Sequence, residues 1–80
     1  MNPPSYIAKL IERCAHDGLC TAESIMSRSR ASEAVRARHR VWHIIHSSTG
    51  MSISGIGRMF GADHTTVMYG IRRHEERLRA

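Results

Sequence analysis

Apolar residues recur at intervals of three and four along most of this chain of 80 residues. In the first segment the residues at this spacing are Ile7, Leu10, Ile11 and Cys14. No stretch alternates apolar and polar residues over the length that a β-strand requires. The pattern therefore predicts an all-α fold of about five helices, with breaks at Gly18, Gly50 and Gly61.

Four of the five predicted helices follow a residue whose side-chain oxygen can accept a hydrogen bond from the first turn. These predicted N-caps are Ser5, Thr21, Ser32 and Asp63, and the fourth helix is predicted over Ser52 followed by Ile53 to Phe60. The last two helices, joined by a tight turn at Gly61, have the layout of a helix-turn-helix. We therefore expect a single domain over residues 1–80, with the helix-turn-helix at 52–78.

The long third helix is predicted to have one apolar and one polar side. The apolar stripe, flanked by Trp42, comprises Ala34, Ala37, Val41, Ile44 and Ile45. The opposite side comprises Arg36, His39, Arg40, His43 and His46. Arg38 falls within the apolar sector, so its side chain either extends out to solvent at the domain edge or extends toward a ligand.

Positive charge is concentrated in one part of the sequence. The chain has a net charge of +5 and a pI near 10.2. Residues 27–40 hold five arginines and a single acid, Glu33, whereas a solvated helix face usually mixes both signs. Arginine matches phosphate oxygens and guanine edges better than lysine does. This distribution favours nucleic acid as the partner.

Enzyme and metal chemistry find little support in the residue pattern. Ser and His are plentiful, but no credible set of nucleophile, base and acid is present, so we expect no enzyme activity. Cys14, His16 and Cys20 lack a fourth zinc ligand and match no standard finger spacing. We predict no metal and no cofactor, and we expect both cysteines to be reduced thiols.

Targeting signals are also missing from the pattern. No apolar run approaches the roughly 18 residues of a membrane span. The start, Met1-Asn2-Pro3-Pro4, lacks the order of a secretion signal. We expect a cytoplasmic protein that does not bind a membrane.

The last helix presents a polar side opposite Val67 and Ile71. That side carries Thr65, Tyr69, Arg72 and Arg73, with His64 and Met68 on one flank and Thr66 on the other. A helix that enters the major groove end-on presents its first turn to the base edges, where threonine and histidine can contact them. Because Glu75 and Glu76 would repel the DNA backbone, contact is expected only along the first half of the helix.

The segment from Ile56 to Val67, Ile-Gly-Arg-Met-Phe-Gly-Ala-Asp-His-Thr-Thr-Val, resembles the signature of the C-terminal, box-binding domain of the bacterial replication initiator DnaA. The Asp-His-Thr-Thr-Val part is its specific element, and the resemblance extends more weakly over nearly the whole chain. It implies a fold similar to that domain and to the Trp repressor. It also implies that double-stranded DNA is the partner.

Position by position, the resemblance implies contacts with both the major and the minor groove of DNA. Asp63, His64, Thr65 and Thr66 would contact the major groove or its adjoining phosphates. Arg30, in the loop before the third helix, would enter the neighbouring minor groove, where A·T-rich sequence concentrates negative potential. Arg38 and His39 match positions near the DNA backbone, and Arg72 and Arg73 match a basic pair of the family.

Departures from the family pattern bear on specificity. The turn Gly61-Ala62-Asp63 is one residue shorter than usual, Ser54 stands where proline is common, and Gly55 replaces an acidic residue. These changes bear on the position of the last helix and on the preferred base sequence more than on the mode of binding. The chain also lacks the family's ATPase domain. We therefore expect a small, nucleoid-associated regulator of transcription or replication that occupies box-like sites, can compete with the host initiator and hydrolyses no ATP.

Two other hypotheses remain open. The chain could be an effector-responsive dimeric repressor similar to the Trp repressor, for which a concave pocket and a dimer interface would be required. It could instead be a protein-interaction module that docks on replication proteins, which predicts no affinity for DNA at moderate salt.

Overall fold

The computed structural model describes residues 4–80, which form five α-helices. The helices are α1 (Ser5–Asp17), α2 (Ala22–Met26), α3 (Ser32–Thr49), α4 (Ile53–Phe60) and α5 (His64–Arg79). No β-strand occurs in this part of the chain. The prediction of an all-α domain with about five helices is therefore confirmed.

Helix α3 lies at the centre and packs against each of the other four helices. Its predicted apolar stripe is largely confirmed, since Ala34, Ala37, Val41 and Ile45 are buried, while Ile44 is half-buried. Trp42 is also buried, with its ring edge-on to Phe60 at 5.9 Å between centroids. Because four helices cover α3, its buried surface is wider than a single stripe.

One of the four predicted side-chain caps, Thr21, is present, and Ser52 supplies a further cap that the pattern did not assign. The Thr21 Oγ1 accepts a hydrogen bond from the Ser24 N–H at 3.0 Å, and the Ser52 Oγ accepts one from the Gly55 N–H at 3.0 Å. Asp63 occupies the N-cap of α5, but its carboxylate makes no cap hydrogen bond.

The predictions for Ser5 and Ser32 were wrong, because each is the first helical residue rather than the cap. The caps are Pro4 and Ala31, which have no side-chain acceptor. The Pro4 carbonyl accepts hydrogen bonds from the Ile7 and Ala8 N–H groups at 3.0 and 2.9 Å. The backbone ladder therefore starts one residue earlier than the serine pattern indicates.

Helix α1 ends in a Schellman turn whose left-handed residue is a leucine. Leu19 has φ 59°, whereas Gly18 has φ −91°. The Cys20 N–H donates to the Ala15 carbonyl at 2.9 Å, and the Leu19 N–H donates to the His16 carbonyl at 3.3 Å. A non-glycine residue is strained in this conformation, and the Leu19 side chain remains largely exposed.

Two glycines allow backbones to approach closely near the helix-turn-helix. A methyl group at Gly70 would lie 2.6 Å from His39 Cδ2 and 2.7 Å from Trp42 Cε3, so α5 packs directly on the rings of α3. A methyl group at Gly57 would overlap the Ala62 carbonyl oxygen. Together with Gly61 at φ 67°, this close approach accommodates the short turn between α4 and α5.

Candidate nucleic-acid interface

The polar side of α5 is exposed as predicted. His64, Thr65, Thr66, Tyr69, Arg72 and Arg73 are exposed. Val67, Gly70 and Ile71 on the other side are buried against the core. Leu78, on the last turn of α5, is 65% exposed.

The arginine loop, residues 27–31, begins with a left-handed turn at the end of α2. Arg28 is its left-handed residue, with φ 64°, and the Ser29 N–H donates to the Ser24 carbonyl at 3.3 Å. Arg30 follows with an exposed side chain. The turn thus holds the loop compactly at the end of α2 and leaves the Arg30 guanidinium in solvent.

Arg38 is buried, and its guanidinium binds backbone carbonyls rather than extending to solvent. Its Nε donates to the Ile25 carbonyl at 2.8 Å, and its Nη2 donates to the Ser24 and Ser29 carbonyls at 2.9 and 3.1 Å. The cation therefore satisfies the free carbonyls at the C-terminus of α2 and also holds the arginine loop. Burial lowers the Arg38 pKa, as does the neighbouring charge of Arg28.

His39 is also buried, and the prediction that it lies on the polar side of α3 was wrong. It is 7% exposed, because Gly70 lets α5 close over it. The Tyr69 ring stands edge-on to it at 6.2 Å between centroids. Its Nδ1 accepts a hydrogen bond from the Arg77 Nη1 at 3.2 Å, which places the ring proton on Nε2.

Burial lowers the His39 pKa to about 4, with further contributions from Arg77, Arg38, Arg73 and His74. The imidazole is therefore neutral near pH 7. In this position it supports Tyr69 and Arg77 and does not supply a positive charge for phosphate.

A groove of about 380 Å³ separates the arginine loop from α5. We call it the loop groove. Its polar lining includes Arg28, Arg30, Thr66, Tyr69, Arg73 and Arg77. The fold thus brings Arg30 together with the exposed side of α5, although more than thirty residues separate them in sequence. A second, more open depression beside it is lined by Arg58, Gly61, Asp63 and His64.

Arg28, Arg58 and Arg77 were missed as candidate site residues. Arg58 and Arg77 lie outside the segments that the helical pattern marked as contacts. The Arg28 Nη1 donates to the Gly61 carbonyl at 2.8 Å, a link between the arginine loop and the turn of the helix-turn-helix. No sequence pattern indicates a contact across 33 positions.

The two acidic residues in the second half of α5 each lie close to a side-chain nitrogen. The Arg73 Nη1 lies 2.8 Å from the Glu76 Oε1, and the His43 Nε2 lies 3.7 Å from the Glu75 Oε2. Arg72 makes no ion pair within residues 4–80. Its charge is therefore fully available on the exposed side of α5.

This fold and this surface define a helix-turn-helix DNA-binding domain: a short helix and tight turn support a second helix whose exposed side carries hydroxyl and basic groups. The family described as "Bacterial dnaA protein helix-turn-helix" matches residues 7–73, and the chain belongs to that family.

Curated relatives agree with this assignment. The chain is 36% identical over 70 residues to the chromosomal replication initiator protein DnaA of Corynebacterium jeikeium (strain K411), a match covering 86% of this chain and 12% of that protein. It is 35% identical over 68 residues to the protein of the same name from Thermomicrobium roseum, covering 84% of this chain and 14% of the relative. The chain thus spans only about one seventh of the length of such relatives or less. No solved structure matches it significantly.

Two features are absent from residues 4–80. Each helix in this range is too short or too polar to span a lipid bilayer. No group of three or more His, Cys, Asp or Glu side chains in the same range is arranged to hold a metal ion.

Proposed function

We propose that the chain is a sequence-specific duplex-DNA-binding module that occupies DnaA-box-like sites. The observation that carries the proposal is the loop groove, which unites an exposed arginine of the loop with the exposed side of α5. The exposed side of a helix next to a basic loop is the layout needed to contact a major groove and the adjacent minor groove together.

The proposed roles follow from exposure and chemistry. His64, Thr65 and Thr66 contact base edges from the first turn of α5, with Asp63 beside them, and Tyr69 adds an exposed ring. Arg30 enters the minor groove, and Arg72 and Arg73 bind phosphates. Arg38 and His39 act from behind this surface, through the arginine loop and through Tyr69 and Arg77.

The biological role we propose is regulation by occupancy. A module that covers a box needs no ATP hydrolysis to exclude the host initiator from that site or to block transcription across it. Residues 1–80 would act as one domain in this role, in the cytoplasm and on the nucleoid. The relatives are far longer, so their whole-protein activities are not carried over.

Fluorescence anisotropy with labelled duplexes tests the proposal. A TTATNCACA-type initiator box is compared with a scrambled duplex over a range of salt concentrations. Thr65→Ala should weaken binding to the box by about 1 to 3 kcal/mol and leave scrambled duplex unaffected. Arg72→Gln should weaken both duplexes alike and reduce the log-log salt slope by about 0.9.

Arg13→Gln is the matched control. It removes the same charge from an exposed position on α1, away from the loop groove, and should change little. Equal losses on both duplexes for Thr65→Ala would refute base contact by α5. A selection from random duplexes with the purified protein would then define the preferred sequence.

A second candidate, an effector-responsive repressor, is favoured by one observation. A cavity of about 400 Å³ lies between α1, α3 and α5, with Cys14, Ala37 and Leu78 among its apolar lining and Arg36 and Arg40 among its charged lining. Sedimentation of the protein with and without duplex discriminates between the two. A monomer bound to one asymmetric site supports the first proposal, and a dimer on a symmetric site supports the second.

A further inference from the structure

The arginine loop is held at two points, and the two arginines responsible belong to different parts of the chain. Arg38 holds it from within the core through the Ser29 carbonyl at 3.1 Å. Arg28 holds it from the other side through the Gly61 carbonyl at 2.8 Å. The second contact joins the loop directly to the turn that precedes α5.

The Gly61 carbonyl is a favourable acceptor for a cation. Gly61 is the C-cap of α4, so its carbonyl lies at the negative end of that helix. Arg28 makes this contact with a left-handed φ of 64°. That conformation is strained in a non-glycine residue.

The contact lies between the two groups proposed to enter the two DNA grooves. Arg28 stands two residues before Arg30, and Gly61 stands three residues before His64. Chain segments this short span at most about 7 and 11 Å, so fixing Arg28 against Gly61 limits how far Arg30 can move from the first turn of α5.

The geometry points to Arg28 as a positioning residue for DNA recognition: its bond to the Gly61 carbonyl sets the spacing between the minor-groove arginine and the major-groove helix. This inference rests on the proposed function. It assigns to Arg28 a role other than phosphate binding, which is to hold the arginine loop against the turn through the Nη1–H that donates to the Gly61 carbonyl. Specificity for the box then depends on a contact within the protein.

The test is a double-mutant cycle between Arg28→Gln and Arg30→Gln, measured by anisotropy on box and scrambled duplexes. Alone, Arg28→Gln should reduce affinity for the box by about threefold to tenfold and affect scrambled duplex much less. In the Arg30→Gln background it should have almost no further effect on affinity or on the salt slope. Arg13→Gln, with the same charge change, controls for general electrostatics.

Additive losses, with a further decrease of about 0.9 in the salt slope in the Arg30→Gln background, would show a direct phosphate contact and overturn the positioning role. Arg28→Gly separates the role from folding. It removes the guanidinium and relieves the left-handed strain, so it should retain the helical circular dichroism and still lose preference for the box.

A measurement without DNA distinguishes failure of this inference from failure of the proposed function. In the free protein, Arg28→Gln should shift the amide resonances of Ala62, Asp63 and His64, and Arg13→Gln should not. Unshifted resonances would overturn the contact whatever the protein binds. Shifted resonances in a wild-type protein that binds box and scrambled duplex equally would refute the proposed function and the positioning role, and would leave the contact itself intact.

Discussion

Stability at mildly acidic pH should be governed by His39. The folded protein holds this imidazole neutral down to a pKa of about 4, whereas an unfolded chain protonates it near 6.5. Between these pH values the unfolded state binds more protons, so stability falls as the pH falls. The difference between the two pKa values corresponds to roughly 3 kcal/mol, a large part of the stability of a domain this small.

The environment of His39 explains the size of this effect. The ring is 7% exposed, and the charged groups that influence it, Arg77, Arg38, Arg73 and His74, are all basic. No carboxylate is among them, so a proton on His39 would be buried among like charges. The His74 pKa is lowered too, chiefly by burial, and it adds to the loss in the same direction.

Urea unfolding followed by far-ultraviolet circular dichroism at several pH values between 4 and 7.5 tests this prediction. His39→Gln should lower stability at pH 7 but flatten most of the decline toward acid. His16→Gln, an exposed control at the end of α1, should keep the wild-type pH dependence. If wild type and His39→Gln decline in parallel, or if proton resonances show His39 titrating near 6.5, the reasoning is refuted.

Three further substitutions test the packing and the turns. A Gly-to-Ala change normally favours a helix, but the methyl group of Gly70→Ala would clash with the Trp42 ring. We therefore expect the free energy of unfolding in urea to fall by about 1 to 3 kcal/mol. An increase would show that α3 and α5 can separate without cost. Leu19→Gly should relieve the left-handed backbone strain and raise the free energy of unfolding by about 1 kcal/mol, which a higher melting temperature would report. A lower melting temperature would contradict the strain at this position. Arg38→Met should lower the free energy of unfolding by about 2 to 4 kcal/mol, because the carbonyls at the end of α2 lose their donor. An unchanged unfolding curve would refute the capping role of Arg38.

Local chemistry explains what the sequence predicted correctly. Thr21 caps its helix through a hydrogen bond with a residue three positions away, so the whole interaction is visible in a short window of sequence. The exposed side of α5 was also predictable, because Val67 and Ile71 fix the buried direction and helical geometry places Thr65, Tyr69 and Arg72 elsewhere.

The errors arise where distant segments meet. His39 has a polar side chain at a polar position of the helical pattern, yet Gly70, 31 residues later, lets α5 close over it. Arg38 was placed correctly in the apolar sector, but its acceptors belong to α2 and the arginine loop. The contact between Arg28 and Gly61 depends on the folded arrangement of two turns, which periodicity does not encode.

The position of Trp42 makes its fluorescence an intrinsic probe of the packing between α3 and α5. This single indole is 2% exposed, lies 5.8 Å from the His39 ring between centroids, and has no hydrogen-bond partner for Nε1 within residues 4–80. An indole in such dry surroundings emits at short wavelength, and a protonated imidazole beside it quenches the emission. Changes at the junction of α3 and α5 can therefore be followed by intrinsic fluorescence, with no dye attached to the protein.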